Sequence, residues 1–252
     1  MIVKDVSYHK PCTAEEALTL WKAGRDSRYL AGSTEILTLA KKVGYPVHTL
    51  VDIKAIPEAR RAGPQARPRG EGYYLGAALT LNEVEETGAF PLLSATVRKI
   101  ADHTIRNRLT LGGNVCGMLP YREAVLPLLL ADTEVHSLTP EGGYRVRNLR
   151  WCFDKRIALD NGELVLGFWV PSSALAAPWF HHRKTRTGPV DYPLVTVCAL
   201  KNPTVELAVT GAHPYPVLWP TTAEVKGDQR ASAEYRTHLL TLGVQQAHEE
   251  LS

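Results

Sequence analysis

Ile105-Arg106-Asn107-Arg108-Leu109-Thr110-Leu111-Gly112-Gly113-Asn114-Val115 sets two adjacent glycines between polar, hydrogen-bonding residues. Paired glycines permit positive φ and let peptide N–H groups approach a ligand closely. Thr110 and Asn114 have side chains that reach phosphate or hydroxyl oxygens. The plainer reading is a glycine-rich turn between a helix and a strand. Upstream, Ala31-Gly32-Ser33-Thr34-Glu35 poses the same choice. A short strand, Arg28 to Ala31, runs through Gly32 into the start of a second helix, Ile36 to Lys42. Unpaired N–H groups and the positive helix end there suit a phosphate. Ser33 as a simple N-cap accounts for the same residues. Neither loop is a Gly-x-Gly-x-x-Gly fingerprint or a Gly-Lys-Ser/Thr phosphate loop.

Around these loops the chain alternates helical and strand patterns. The first ~55 residues read as a small β-α-β-α-β unit. Thr13-Ala14-Glu15-Glu16 is a capping box that opens a helix carrying Ala14, Ala17, Leu18 and Trp21 and ending at Gly24. His48 to Ile53 is the next strand. Residues Pro57 to Gly72, rich in Arg, Pro and Gly, read as a solvated surface excursion. Tyr73 to Ala77 is a strand, Thr80 to Glu83 a second capping box, and Pro91 opens a helix through about His103. Ala124 to Ala131 reads as helix, and Thr133 to Leu138 and Glu163 to Val170 as strands, the last ended by Pro171. Three antiparallel strands are expected at Ala177 to Arg186, Leu194 to Leu200 and Thr204 to Gly211. A helix from about Ser232 to Leu251 closes the chain, its apolar face built from Tyr235, Leu239, Val244, Ala247 and Leu251. The expected class is α+β. A two-part ligand-binding region, residues 1–55 and 56–172, precedes a C-terminal unit of antiparallel strands and helix, 173–252.

Composition narrows the function classes. At 252 residues, with 44% hydrophobic and 22% charged, the chain can build a real core. A net charge of +3 without a basic stripe argues against nucleic-acid binding. The polar N-terminus lacks a signal-peptide pattern, and the apolar stretch at 124–131 is too short to span a bilayer. A cytoplasmic location is the default expectation. Cys12, Cys116, Cys152 and Cys198 lie far apart, a spacing that supports neither a disulfide framework nor a metal cluster held by this chain alone.

The order of these segments resembles the FAD-binding medium subunits of the molybdenum hydroxylases, the group of xanthine dehydrogenase, carbon monoxide dehydrogenase and aldehyde oxidoreductase. Ala31-Gly32-Ser33-Thr34-Glu35-Ile36 resembles their first loop. Ile105-Arg106-Asn107 followed by Thr110-Leu111-Gly112-Gly113-Asn114 resembles their Ile-Arg-Asn-x-x-Thr-Ile-Gly-Gly-Asn segment. Pro120-Tyr121-Arg122-Glu123 resembles Pro-x-x-Asp, with Glu in place of Asp. Leu50-Val51-Asp52-Ile53, Ile56-Pro57-Glu58, Leu75-Gly76-Ala77 with Thr80, and Arg230-Ala231-Ser232-Ala233-Glu234-Tyr235-Arg236 extend the likeness over nearly the whole length.

The resemblance implies an FAD held between the first two units, its flavin ring facing the third. By position, Tyr29, Leu30, Ala31, Gly32, Ser33, Thr34, Glu35 and Ile36 form one wall and Thr110, Leu111, Gly112, Gly113 and Asn114 the other. Glu123 falls near the flavin ring. Leu166 is a candidate to cover flavin or adenine, and Ile100 a contact position equally suited to plain core. His182 and Lys184, in Phe180-His181-His182-Arg183-Lys184-Thr185-Arg186, fall where relatives carry a lysine by the flavin. The local spacing departs from the usual pattern, so the residue in that role stays open, as does a plain basic strand or a docking patch. His181-His182 is a poor metal site, because adjacent strand side chains point to opposite faces.

Neither a metal-ligand set nor a Ser/His/Asp arrangement is evident. The resemblance thus implies an electron-transfer subunit whose molybdopterin and two-iron, two-sulfur clusters reside on large and small partner subunits. NAD+ or another molecule would accept the electrons. The alternatives are a stand-alone FAD-dependent oxidoreductase of similar fold, in the manner of the UDP-N-acetylmuramate dehydrogenases or vanillyl-alcohol oxidases, and a scaffold subunit with a decayed flavin site.

Overall fold

The computed structural model describes residues 6–39, 46–188 and 190–252. The C-terminal end of the second helix, expected to reach Lys42, lies outside the described residues. Strands β1 (Ser7–His9), β2 (Ser27–Leu30) and β3 (Thr49–Asp52) form a parallel sheet in the order β1-β3-β2. The crossover helix Ala14–Ala23 begins at Thr13, whose hydroxyl accepts from the Glu16 N–H at 3.1 Å. The Glu16 carboxylate accepts from the Cys12 N–H instead of closing a box on Thr13. Ala14, Ala17 and Leu18 face inward and pack with Val51, Ile53, Leu164 and Leu166. This contact fastens the first sheet and its helix to the second sheet.

The second sheet joins β4 (Ala62–Pro64), β5 (Gly72–Gly76), β6 (Glu134–Leu138), β7 (Tyr144–Asn148) and β10 (Leu164–Pro171), antiparallel throughout, in the order β4-β5-β10-β6-β7. A small hairpin of β8 (Phe153–Asp154) and β9 (Arg156–Ile157) precedes β10. The expected excursion after Pro57 is more ordered than a solvated loop. It carries helix Pro57–Arg60 and the edge strand β4, and Arg67 and Arg69 reach the carboxylate of Glu134. The helix opened by Pro91 stops at Arg98, short of His103. Ala101 takes a positive φ and Asp102 caps a new helix, His103–Arg106. The Thr80/Glu83 capping box is complete.

The third sheet runs β11 (Trp179–Thr185), β12 (Pro193–Lys201), β13 (Val205–Thr210) and β14 (Val217–Trp219), each antiparallel to the next. The fourth strand was not legible in the sequence. Alternation splits β12 between two cores. Val195, Val197 and Ala199 face helix Ala233–Leu251, while Cys198 and Leu200 join the core of the second unit. Ser232 caps that helix, and Leu239, Leu240, Ala247 and Leu251 are buried; each leucine contributes about 1.5–3 kcal/mol. Tyr235, expected on the apolar face, is exposed, and the buried Arg236 takes the inward position. Its guanidinium donates to the carbonyls of Leu194 and Gly211 at 2.8 and 2.7 Å and to Asp228 at 2.7 Å. The Arg230 to Arg236 segment therefore ties the closing helix to the third sheet.

Candidate functional site

The two glycine loops meet face to face. Gly32 follows β2, and a Cβ built there would lie 2.0 Å from the Arg108 carbonyl oxygen and 3.3 Å from the Thr110 nitrogen. Only glycine allows this approach. Ser33 takes a positive φ of 64°, and its hydroxyl turns back to the Gly32 carbonyl at 2.6 Å. Helix Thr34–Leu39 starts there. The amide N–H groups of Ser33, Thr34, Glu35 and Ile36 have no acceptor among the described residues. Behind the loop, the Lys54 ammonium, paired with Asp52 at 2.7 Å, donates to the Ala31 carbonyl at 3.0 Å.

The second loop is the start of a helix, Leu111–Cys116, and not a turn into a strand. Thr110 caps it by accepting from the Gly113 N–H at 3.2 Å. The two glycines do different work. Gly112 is buried, with its would-be Cβ 2.7 Å from the Ala77 Cβ, so it is a packing glycine. Gly113 is exposed, and its would-be Cβ meets only the Thr110 hydroxyl. Arg106 explains the Ile-Arg-Asn segment: buried, it donates to Asn82 and to the carbonyls of Ile100 and Ala101, while Asn107 accepts from Asn82 at 2.7 Å. This network fixes the backbone that leads into the loop.

Two carboxylates join the loops to the rest of the site. Glu35 accepts from the Met118 N–H at 2.8 Å, linking the first loop's helix to the end of the second's. Asn114 accepts from the Ala124 N–H at 3.1 Å, which fixes Glu123 beside it. Glu123 is buried and reaches across to the third sheet, where Arg183 donates at 2.8 Å and the Thr196 hydroxyl at 2.7 Å. Burial pushes the Glu123 carboxyl above its usual range, against the pull of Arg183 and Thr196. Arg183 also donates to the Asp191 carbonyl at 2.8 Å. Tyr121 and Tyr192 stack with ring centres 4.9 Å apart, and the Arg230 guanidinium lies over both.

These elements enclose a cleft of about 1440 Å³ that opens between the three sheets. Twelve of the expected site residues line it: Tyr29, Ala31, Gly32, Ser33, Thr34, Glu35, Ile36, Thr110, Gly112, Gly113, Asn114 and Glu123. Ile100 lines it as well. Five do not, and strand or helix geometry explains each. Leu30 and Leu111 are buried beneath the loops, Leu30 with Val47 and Leu50, Leu111 in the core of the second unit. Leu166 points from β10 toward helix Ala14–Ala23, and its neighbours Leu164 and Val165 reach the cleft instead. His182 and Lys184 alternate to the helix-facing side of β11, where His182 stacks parallel to Phe180. Arg183, between them, is the member of the run that lines the cleft. Trp151, Tyr121 and Arg122 also line it without having been assigned a role, and so do Asp191 and Tyr192, whose segment reads from the sequence as structural first and flavin-proximal second. The pairing of Glu123 with a cation one position from the expected one was hidden by an undecided strand phase.

The chain matches the family model described as the FAD binding domain in molybdopterin dehydrogenase over residues 4–173. It is 29% identical over 198 residues to the carbon monoxide dehydrogenase medium chain of Hydrogenophaga pseudoflava, covering 75% of this chain and 67% of that one. It is 27% identical over 170 residues to the xanthine dehydrogenase FAD-binding subunit of Escherichia coli, covering 66% of this chain and 57% of the relative. The carbon monoxide dehydrogenase structure from Hydrogenophaga pseudoflava that lacks the Mo-pyranopterin moiety superposes with a TM-score of 0.86 at 22% identity, covering 100% of this chain and 98% of that chain. Quinoline 2-oxidoreductase from Pseudomonas putida gives 0.84 at 19%, covering 100% and 98%. At such identities the structural likeness speaks for the fold. With its glycine loops paired across one cleft and the match running from residue 4 to 173, the chain belongs to the FAD-binding-domain family of the molybdopterin dehydrogenases.

Proposed function

We propose that this chain is the FAD-binding electron-transfer subunit of a larger molybdopterin-dependent oxidoreductase. The observation that carries the reading is the cleft between the two glycine loops. Its volume of about 1440 Å³ exceeds the roughly 300–1,000 Å³ of common small-ligand sites and leaves room for a dinucleotide. Its chemistry fits as well. Four unpaired N–H groups at Ser33 to Ile36 supply donors for a diphosphate. Gly113, lacking a side chain, leaves the backbone open to close approach.

When bound, FAD supplies one- and two-electron redox chemistry. The chain's own residues bind and orient it. The Ser33 to Ile36 amides and the Thr110 to Asn114 helix start hold the phosphates and ribityl from opposite sides. Glu123, held by Arg183 and Thr196, presents a fixed carboxylate where the flavin ring would face the third sheet. Arg183 brings the positive charge on that side, largely offset by Glu123. Tyr121 and Tyr192, stacked on each other with Arg230 over both, add an aromatic wall to the cleft. No pair of free acid and base groups converges on a substrate position in the described cleft, which favours a subunit over a stand-alone oxidase. In this reading a molybdopterin-bearing large subunit oxidises the substrate. A two-iron, two-sulfur small subunit relays electrons to this chain, which passes them to NAD+ or another acceptor.

The test is the visible spectrum and the acid-released cofactor of the purified chain, before and after incubation with FAD. A yellow protein that releases FAD is expected. A colourless chain that cannot be reconstituted would remove the cofactor reading, and turnover of a small substrate by the isolated chain would favour the stand-alone alternative. Co-purification with partner subunits tests the assembly.

A further inference from the structure

We infer that Arg122 is the counter-charge for the FAD diphosphate: a buried guanidinium on the cleft wall, left unpaired by the protein and paired when the cofactor binds. The inference rests on the FAD reading above. Arg122 is 5% exposed and lines the cleft. Its guanidinium donates to the Gly117 carbonyl at 3.2 Å and to the Lys155 carbonyl, and lies 5.3 Å above the Phe153 ring. Its Nε has no partner.

Three other arginines with largely covered side chains each meet a carboxylate: Arg106 with Glu85 at 3.7 Å, Arg183 with Glu123 at 2.8 Å and Arg236 with Asp228 at 2.7 Å. Arg122 meets none within 4 Å among the described residues. Glu123, its chain neighbour, is turned to Arg183 and Thr196. Glu35 acts on it from a distance while bonding the Met118 N–H. A guanidinium stays charged at any ordinary pH, so this charge is desolvated with two carbonyls, an aromatic face and the more distant Glu35 to offset it, and no carboxylate in contact.

Its position indicates what completes it. Gly117 ends the helix of the second loop and Glu35 lies in the first turn of that of the first, so Arg122 sits where the two walls converge. Within FAD the diphosphate carries the negative charge, whereas adenine and oxidised flavin are neutral. Charge-assisted bonds to phosphate are among the stronger polar contacts and suit an arginine.

The full-length chain and its Arg122→Gln and Arg122→Lys variants would be titrated with FAD, ADP and riboflavin, and their unfolding followed without ligand. The glutamine variant should lose about tenfold or more in affinity for FAD and ADP while riboflavin binding stays unchanged. Lysine should restore most of the loss. Without ligand, the glutamine variant should unfold at or above the wild-type temperature, because a buried charge with no carboxylate in contact is gone. Equal loss for riboflavin together with a lowered unfolding temperature would mark Arg122 as purely structural and overturn the inference. So would a glutamine variant that binds FAD as wild type does. A wild-type chain that takes up no FAD overturns the cofactor reading and this inference together.

Discussion

Glu123, in the turn before helix Val125–Leu130, and Arg183, on the first strand of the third sheet, form an ion pair at 2.8 Å with 4% and 6% of their side chains exposed. The pair bridges that turn to the third sheet at the cleft. Removing one member leaves a buried charge without its partner, which costs about 3–5 kcal/mol. Glu123→Gln should lower the unfolding free energy by that order in urea titration. Arg183→Met in the same chain should recover part of the loss, since the orphaned charge is then removed. Additive losses in the double variant would argue that the two residues act independently.

The two adjacent glycines should respond differently to the same substitution. At Gly112 an alanine methyl would press on Ala77, its Cβ at 2.7 Å and its carbonyl oxygen at 2.8 Å. Gly112→Ala should therefore lower the unfolding temperature whether or not FAD is present. At Gly113 the methyl meets the Thr110 hydroxyl, so the most it costs the fold is that cap, about 1 kcal/mol. A bulky residue there should chiefly reduce FAD retention. Thermal unfolding beside flavin content separates the two; equal unfolding losses would contradict the division.

Stability should fall as pH drops from 7 to 5. His136 is fully buried on the second sheet, and burial, with Arg67 and Arg61 nearby, lowers its pKa from 6.5 to about 4. His181 is lowered to about 4 by burial, then by Arg183, Lys99 and His182. Above pH 6.5 both states carry neutral imidazoles and nothing changes. Below it the unfolded chain takes up protons that the folded chain refuses until near pH 4, so stability is lost across that window. For His136 the slope approaches about 1.4 kcal/mol per pH unit. Urea midpoints at pH 7 and 5 check this, and His136→Phe should flatten the dependence. A flat profile in the native chain would show that these histidines accept protons where they are.

Much of the fold could be read along the chain because its signals are local. The Thr80/Glu83 box, the Ser232 cap and the alternation of β12 each depend on residues a few positions apart. The short edge strands β4 and β14 could not be read in this way. They hold their conformation through pairing with β5 and β13, not through any pattern of their own. The end of the helix at Arg98 depended on a positive φ at Ala101, a residue with no glycine-like preference to betray it.

The sequence by itself determined that two glycine-bearing segments exist, that Gly32 and the 112–113 pair interrupt otherwise ordinary patterns, and that the family's segments follow in order. Tertiary structure decided which atoms meet. It set Gly32 against the Arg108 carbonyl, divided the glycine pair into one that packs and one that opens to the cleft, and chose Arg183 over His182 and Lys184. The physical reason is that a strand side chain's face depends on register with its neighbours. Pairing of Arg183 with Thr196, itself bonded to Glu123, fixes that register, and a residue shifted by one position points the other way.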